Sequence, residues 1–261
     1  MNVGPNISSN SDAANVFLET KKIIGSVPCI QIFVQSNNYS ITDSEIEFYK
    51  KQVGTKIFVH STYNVSLNRY FPTIRSFQEQ YQICANMGVV GFIVHLPRLE
   101  INITLDVIKK LFNGTTMDSF KTHPIVYFEH PVSKQFSDPE EFCKFYYDIR
   151  QVLPEWVTPG ICIDTCHMYA SGVKVATGRH VKQYLEIVSN YGQISEILIH
   201  LNDSKFVFNS MIDRHADIGT NIWTKEESGI KYLLQTGYCC ILELRDYKKN
   251  LLKCQEIMKS S

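Results

Sequence analysis

The chain has 261 residues, 44% of them hydrophobic, with 26 basic and 26 acidic side chains and eight cysteines. A chain this long buries a core without needing a disulfide or a metal to fold, which excludes a small stapled scaffold and suits one barrel of roughly 250 residues. The even charge excludes a protein that holds nucleic acid by an overall basic field, yet a multi-metal centre would add positive charge that this sum omits while its carboxylate ligands are counted.

The amino terminus, MNVGPNISSN, lacks a basic segment followed by an apolar one, so no signal peptide is expected. No apolar run nears the ~20 residues of a membrane span. Most cysteines sit in apolar runs such as GICIDTCHMYA and YCCILEL, and none forms a C-x-x-C pair. Buried, reduced thiols are expected, and with them an intracellular, reducing compartment.

In chain order, Asn2–Ile7 reads as a strand and Ser11–Ile24 as a helix. Cys29–Val34 and Asp43–Gln52 repeat that order, as do Lys56–His60 with Ile74–Met87, and Val89–His95 with Leu105–Phe112. Pro124–Glu129 precedes the helix Pro139–Leu153, and Gly160–Asp164 precedes Val181–Asn190. Glu196–Leu201 with Lys225–Gln235, and Tyr238–Leu244 with Asn250–Lys259, complete the series. Asp138-Pro139 looks like a helix start, and Gly25, Gly54, Gly88 and Gly237 fit helix ends.

Strand and helix thus alternate eight times, and the near-continuous apolar strands suit a parallel sheet covered on its outer face. The count favours an α/β fold that is a single (β/α)8 TIM barrel over an open sheet. No G-x-G-x-x-G follows the first strand. No Pro/Gly/Ser linker divides residues 1–261, so one domain is expected.

Metal-competent residues gather at the strand ends, which in a barrel converge on the C-terminal face where active sites form. His60, His95, Glu129 and Asp164 end their strands, with His167 just beyond. His200 and Glu243 end the last two, and Asp213-Arg214-His215 lies in the loop between them. A lone histidine after an apolar strand is commonly structural, but a carboxylate inside VYFEH or ILELR is costly unless paired or metal-bound. The set carries the reading: five of eight histidines and four carboxylates share one face. His123, His130 and His180 read as structural or exposed. Imidazole and carboxylate, with no obvious thiolate, suit zinc, manganese or iron better than magnesium or calcium. Nine donors exceed one tetrahedral site and suffice for two or three ions, an arrangement suited to phosphoryl chemistry.

GICIDTCHMYASG (160–172), HLNDSK (200–205) and DRHADIG (213–219) resemble signature blocks of the endonuclease IV family of apurinic/apyrimidinic (AP) endonucleases. VHSTYNVSLNR (59–69), GFIVHLP (91–97) and IVYFEHP (125–131) match more loosely. The resemblance implies a barrel with three zinc ions, with Mn2+ or Fe2+ as substitutes at individual sites. His60, His95 and Glu129 would hold the first. Asp164, His200 and Glu243 would hold the second, with Glu129 bridging. His167, Asp213 and His215 would hold the third. It implies base-excision repair of double-stranded DNA: hydrolysis 5′ to an abasic site, leaving 3′-hydroxyl and 5′-deoxyribose phosphate ends. Glu129 and Glu243 would be catalytic. Arg214 and Lys205 would meet phosphates, and Tyr63 would be an aromatic pushed into DNA.

Asn6 stands where the family usually carries His, Ser66 where Asn is usual, and FEHPV departs from the fifth block. A monomer without membrane contact is expected, in cytoplasm, nucleus or virion. The Lys-, Asn- and Ile-rich sequence suits a large DNA virus or an AT-rich organism. The competing reading is a single-metal sugar isomerase or epimerase, built from Glu129, Asp164, His200 and Glu243 alone. His60, His95, His167, Asp213 and His215 would have no work there.

Overall fold

A computed structural model describes residues 1–7, 12–36, 39–62, 70–96, 100–113, 120, 122–190, 196–224 and 229–260. Eight parallel strands close into a barrel: β1 (Val3–Ile7), β2 (Cys29–Ile32), β3 (Lys56–His60), β4 (Gly91–His95), β5 (Ile125–Glu129), β6 (Pro159–Asp164), β7 (Ile197–His200) and β8 (Cys239–Leu242). Each pairs with the next in sequence, and β8 closes on β1 with Val3 opposite Cys240. The eightfold alternation expected of the sequence is therefore a TIM barrel.

The helices are α1 (Ala13–Ile24), α2 (Asp43–Lys50), α3 (Tyr70–Met87), α4 (Ile101–Asn113), α5 (Pro139–Val152), α6 (Thr165–Ser171), α7 (Gly178–Asn190), α8 (Gly229–Gln235) and α9 (Tyr247–Lys259). Local chemistry starts and stops them. Thr42 and Glu45 form a reciprocal capping box on α2. Asp138 accepts from the Glu140 N–H, with Pro139 in the first turn of α5. Gly25 ends α1 at φ 83°, a left-handed cap open to glycine at little cost. Among the described residues no helix is long and apolar enough to cross a membrane. All eight cysteines are free and buried.

Side chains alternate between two cores, as the period of two in a strand requires. Ile57 and Val59 on β3, Phe92 and Val94 on β4, and Val126 and Phe128 on β5 pack outward under the helices. The alternate positions fill the barrel with a separate plug: Cys29, Phe58, Ile93, Tyr127, Cys162, Leu198, Cys239 and Ile241. Gly4 has no room for a side chain there, because a Cβ would lie 1.7 Å from the Cys29 carbonyl oxygen. Only glycine lets β1 approach β2 so closely.

Three features escaped the sequence reading. Helix α6 is only seven residues long, too short to show a helical period. Two small hairpins also form, one pairing Gln35–Ser36 with Tyr39–Ser40 and one pairing Asp203–Ser204 with His215–Ala216. The second puts His215 in a strand, while Asp213 and Arg214 lie in the connecting loop as expected.

Candidate metal centre

Two residues beyond the plug, the next inward-facing position on each strand is polar. Counting up from Cys29, Phe58, Ile93, Tyr127, Cys162, Leu198 and Ile241 gives Gln31, His60, His95, Glu129, Asp164, His200 and Glu243. Asn6 takes the equivalent place on β1, opposite Gln31. The ladders put His95 opposite Glu129 and Asp164 opposite His200. They step the ring by two residues at the pairs between, where Gln31 faces Phe58, His60 faces Ile93, Glu129 faces Cys162 and His200 faces Ile241. The sequence builds a floor of apolar side chains and a layer of ligands on top of it by the same alternation.

All nine sequence-expected metal residues come together. Glu129 is fully buried and divides its carboxylate between two neighbourhoods. Its Oε2 faces His95 Nδ1 at 2.9 Å and His60 Nε2 at 3.3 Å. Its Oε1 faces His200 Nδ1 at 3.1 Å and His167 Nδ1 at 3.5 Å. Glu243 Oε2 lies 3.2 Å from His200 Nδ1. His167 Nε2 is 3.2 Å from Asp213 Oδ2, and His215 Nε2 is 3.4 Å from Asp213 Oδ1. Among the described residues five groups have donor atoms that all lie within 4.8 Å of one another: His60, His95, Glu129; Glu129, Asp164, His200, Glu243; His167, Asp213, His215; His60, His200, Glu243; and Asp164, Cys166, His215. The first three contain the residues of the three ligand sets that the family resemblance implies, and the last two cut across those sets.

The donor set suits divalent ions for a further reason. His60 Nδ1–H donates to the Ser61 carbonyl at 2.7 Å, and His167 Nδ1–H to the His130 carbonyl at 2.9 Å. His200 Nε2–H donates to Gln31 Oε1 at 2.8 Å. Each bond goes to an atom that can only accept, so it fixes the tautomer and turns the other ring nitrogen into the cluster. With no ion, protons must balance the carboxylates. Burial works to lower His167, but Asp164, Asp213 and Glu129 hold it up at about 10. Burial likewise opposes His215, which Asp164, Glu243 and Asp213 hold at about 9. Burial raises Glu129, and His95 and His200 overcome that to hold it well below the usual carboxylate range. Entering ions must displace those protons, so binding tightens as pH rises.

Gln31, Asn202 and Asp203 were missed in the sequence. Gln31 Nε2 donates to Glu243 Oε1 at 2.7 Å, so one buried amide holds both Glu243 and His200. Asn202 Nδ2 donates to Asp164 Oδ2 at 2.7 Å, and its Oδ1 accepts from the Glu243 N–H at 3.1 Å. Cys166 also departs from expectation: its sulfur lies within ligand range of Asp164 and His215. Burial first, then Asp164, pushes that thiol up, so it stays protonated beside the carboxylate ligands. His130 is buried, and burial first, then His167, lowers it to about 4. It is structural, as expected, with its carbonyl orienting His167. His123 is exposed and His180 half-buried.

Lys205 and Arg214 are exposed and face each other across the hairpin, where the Lys205 N–H donates to the Arg214 carbonyl at 2.9 Å. A cleft of about 580 Å³ beside them is lined by Lys205, His215, Thr220, Glu243 and Arg245. Tyr63 and Ser66 lie outside the described residues.

No family model matches the chain. It is similar to the probable AP endonuclease of African swine fever virus (isolate Tick/South Africa/Pretoriuskop Pr4/1996), 29% identical over 213 residues, covering 77% of this chain and 68% of that one. It is 25% identical over 235 residues to the probable endonuclease 4 of a Sulfurihydrogenibium species, covering 84% and 83%. The fold matches crystalline endonuclease IV from Thermus thermophilus with a TM-score of 0.77 at 20% identity, over the whole of both chains. It matches a xylose isomerase domain-containing protein of Salmonella typhimurium less closely, with a TM-score of 0.61 at 12% identity, covering 98% and 94%.

Proposed function

We propose that this chain, related in sequence to the AP endonucleases of the endonuclease IV family, is a metal-dependent DNA-repair endonuclease that hydrolyses the phosphodiester 5′ to abasic sites in duplex DNA. The observation that carries the proposal is the triple grouping of donors around Glu129, joined to sequence similarity with AP endonucleases of viral and bacterial origin. An isomerase-like barrel shares the fold, but a one-metal site leaves His60, His95, His167, Asp213 and His215 idle.

In this proposal the ions are zinc, three per chain, and the 261 residues act as one domain and as a monomer. Such ions supply hydroxide from water at neutral pH and neutralise charge developing on the phosphate oxygens. The protein's own part is to place them. Glu129 spans two of the groups with its two oxygens, which sets their separation. Glu243, held by Gln31 and Asn202, faces the space where an attacking water would be oriented. Asp213 joins His167 to His215 in the third group, suited to the departing 3′ oxygen. Lys205 and Arg214 take the flanking phosphates. An abasic nucleotide has lost its base stacking, so turning it out of the duplex costs little.

The test is a duplex carrying one tetrahydrofuran site. Metal-loaded protein should nick it 5′ to the lesion, a strong chelator should abolish nicking, and elemental analysis should return close to three zinc per chain. Absence of nicking by loaded protein rejects the reading, and one metal per chain would favour the isomerase.

Gln31→Leu gives a second check. It removes the acceptor for His200 and the donor to Glu243 while keeping the size of the side chain. Zinc affinity at the Glu129–His200–Glu243 group should fall about 10- to 100-fold, as for other residues that orient metal ligands. Competition with a colorimetric chelator would measure it, and unchanged affinity would remove Gln31 from the proposed machinery.

A further inference from the structure

The segment between the two strands of the second hairpin carries an unusual surface. Phe206, Val207, Phe208 and Ile212 are all exposed, Val207 at 70%. These are four of the ten large hydrophobic residues that stand exposed among the described residues, and they fall within seven consecutive positions. Isolated exposed apolar residues need no explanation, but a contiguous group beside a functional site does.

The segment is also held in place. The Asn209 N–H donates to the Tyr169 carbonyl at 3.0 Å and the Met211 N–H to the Ala170 carbonyl at 2.9 Å, tying it to α6. Asn221 Nδ2 donates to the Phe206 carbonyl at 2.6 Å. Asn209 and Met211 take left-handed backbone angles, φ 62° and 59°, a conformation that side chains disfavour and that tertiary bonds must enforce. The Phe208 ring stands edge-on to Tyr169 with centroids 5.3 Å apart. The result is an apolar ridge in a fixed shape. Lys205 and Arg214 stand at its two feet, and Asp213 and His215 of the metal centre follow directly.

We propose that this ridge packs against the apolar faces of the bases flanking the lesion, while Lys205 and Arg214 at its feet take the phosphates of the same strand. The inference rests on the abasic-DNA reading and extends it. A ligand that presents phosphates to two cations and flat apolar faces between them is a nucleic-acid strand whose stacking has been opened. An abasic gap opens it at the point the metal centre addresses. A purely protein partner would leave the paired cations beside the ligand cluster unexplained.

The test compares wild type with the double variant Phe206→Ser, Val207→Ser. Both positions are exposed and outside the metal cluster, so melting temperature and zinc content should be unchanged. On a tetrahydrofuran duplex with 2-aminopurine next to the lesion, KM should rise about tenfold, the scale of losing one base–aromatic stack. The kcat should stay within about twofold, since the reacting atoms are untouched. The 2-aminopurine fluorescence change on binding should be lost, and Phe206→Tyr with Val207→Leu should restore both. An unchanged KM and fluorescence response in the serine variant would overturn the ridge while leaving the endonuclease intact. A wild type that ignores the duplex altogether would sink the abasic-DNA reading itself, and the ridge with it.

Discussion

Replacing Glu129 by Gln is expected to lower nicking of abasic DNA by at least about a thousandfold, some 4 kcal/mol of barrier, and to empty at least one ion position. The shape of the side chain is kept, so the loss isolates its charge and its two-sided acceptance. Oε2 serves His60 and His95 while Oε1 serves His200 and His167. A neutral amide has one oxygen, and its nitrogen cannot ligate an ion. The separation between the first two groups then has nothing to set it. Elemental analysis and single-turnover nicking on the same preparation would measure both effects. A Glu129→Gln protein that retains three zinc and nicks within tenfold of wild type would remove the bridging role.

The same variant carries a second expectation, for the metal-free protein at neutral pH. Glu129 is the carboxylate that His95 and His200 hold ionised. Removing it takes from His95 and His60 their nearest carboxylate, while His200 keeps Glu243 at 3.2 Å; deleting one partner of a buried pair costs up to about 3–5 kcal/mol. Thermal melting in chelator should therefore fall, which separates a folding effect from a ligand effect.

Much of this was legible before any coordinates, for a definite reason. The barrel strands are short apolar runs, and their polar ends fall in the inward phase of a period-two pattern. Strand β5 shows it in five letters: IVYFE buries Tyr127 in the plug and brings Glu129 to the mouth. Counting the same phase on CIQI would have found Gln31, which is polar, in mid-strand and in the inward phase that the ligands share. Its neutral amide is not a usual metal ligand, so the letter alone carries no metal-site signal. The carbonyls of Ser61 and His130 could not have been found at all, since every residue offers one and only folding selects which is used. Asp203 was hidden likewise. Loop aspartates are common, and nothing in HLNDSK marks this one as the acceptor for a loop some fifteen to twenty residues away.

Asp203→Asn is the second large effect, and it concerns stability. Asp203 is fully buried, and its two oxygens accept from the backbone N–H groups of a turn that follows the hairpin. Oδ1 takes Ile222 at 2.7 Å and Asn221 at 3.1 Å, while Oδ2 takes Gly219 and Thr220 at 2.9 Å each. The Ser204 N–H adds a fifth bond at 2.7 Å. Asparagine is nearly the same size, so no cavity forms. One of its two ends becomes an NH2 that must face N–H donors, and no rotation of the side chain avoids this. At least two backbone donors lose their acceptor, the part-buried Gly219 and Thr220 N–H groups if the NH2 takes the Oδ2 side, and each buried donor so orphaned costs about 1–3 kcal/mol. A loss of about 3–5 kcal/mol should lower the melting temperature by roughly 10 °C in a chain of this size. The turn follows directly from His215 and Ala216, whose strand pairs with Asp203 and Ser204. The third ligand group should therefore loosen while His60, His95 and Glu129, anchored on barrel strands, keep their ion. Zinc per chain should drop from about three towards two. A variant that melts like wild type with full zinc would show that water replaces the lost acceptor, and that the turn needs no buried charge to hold its shape.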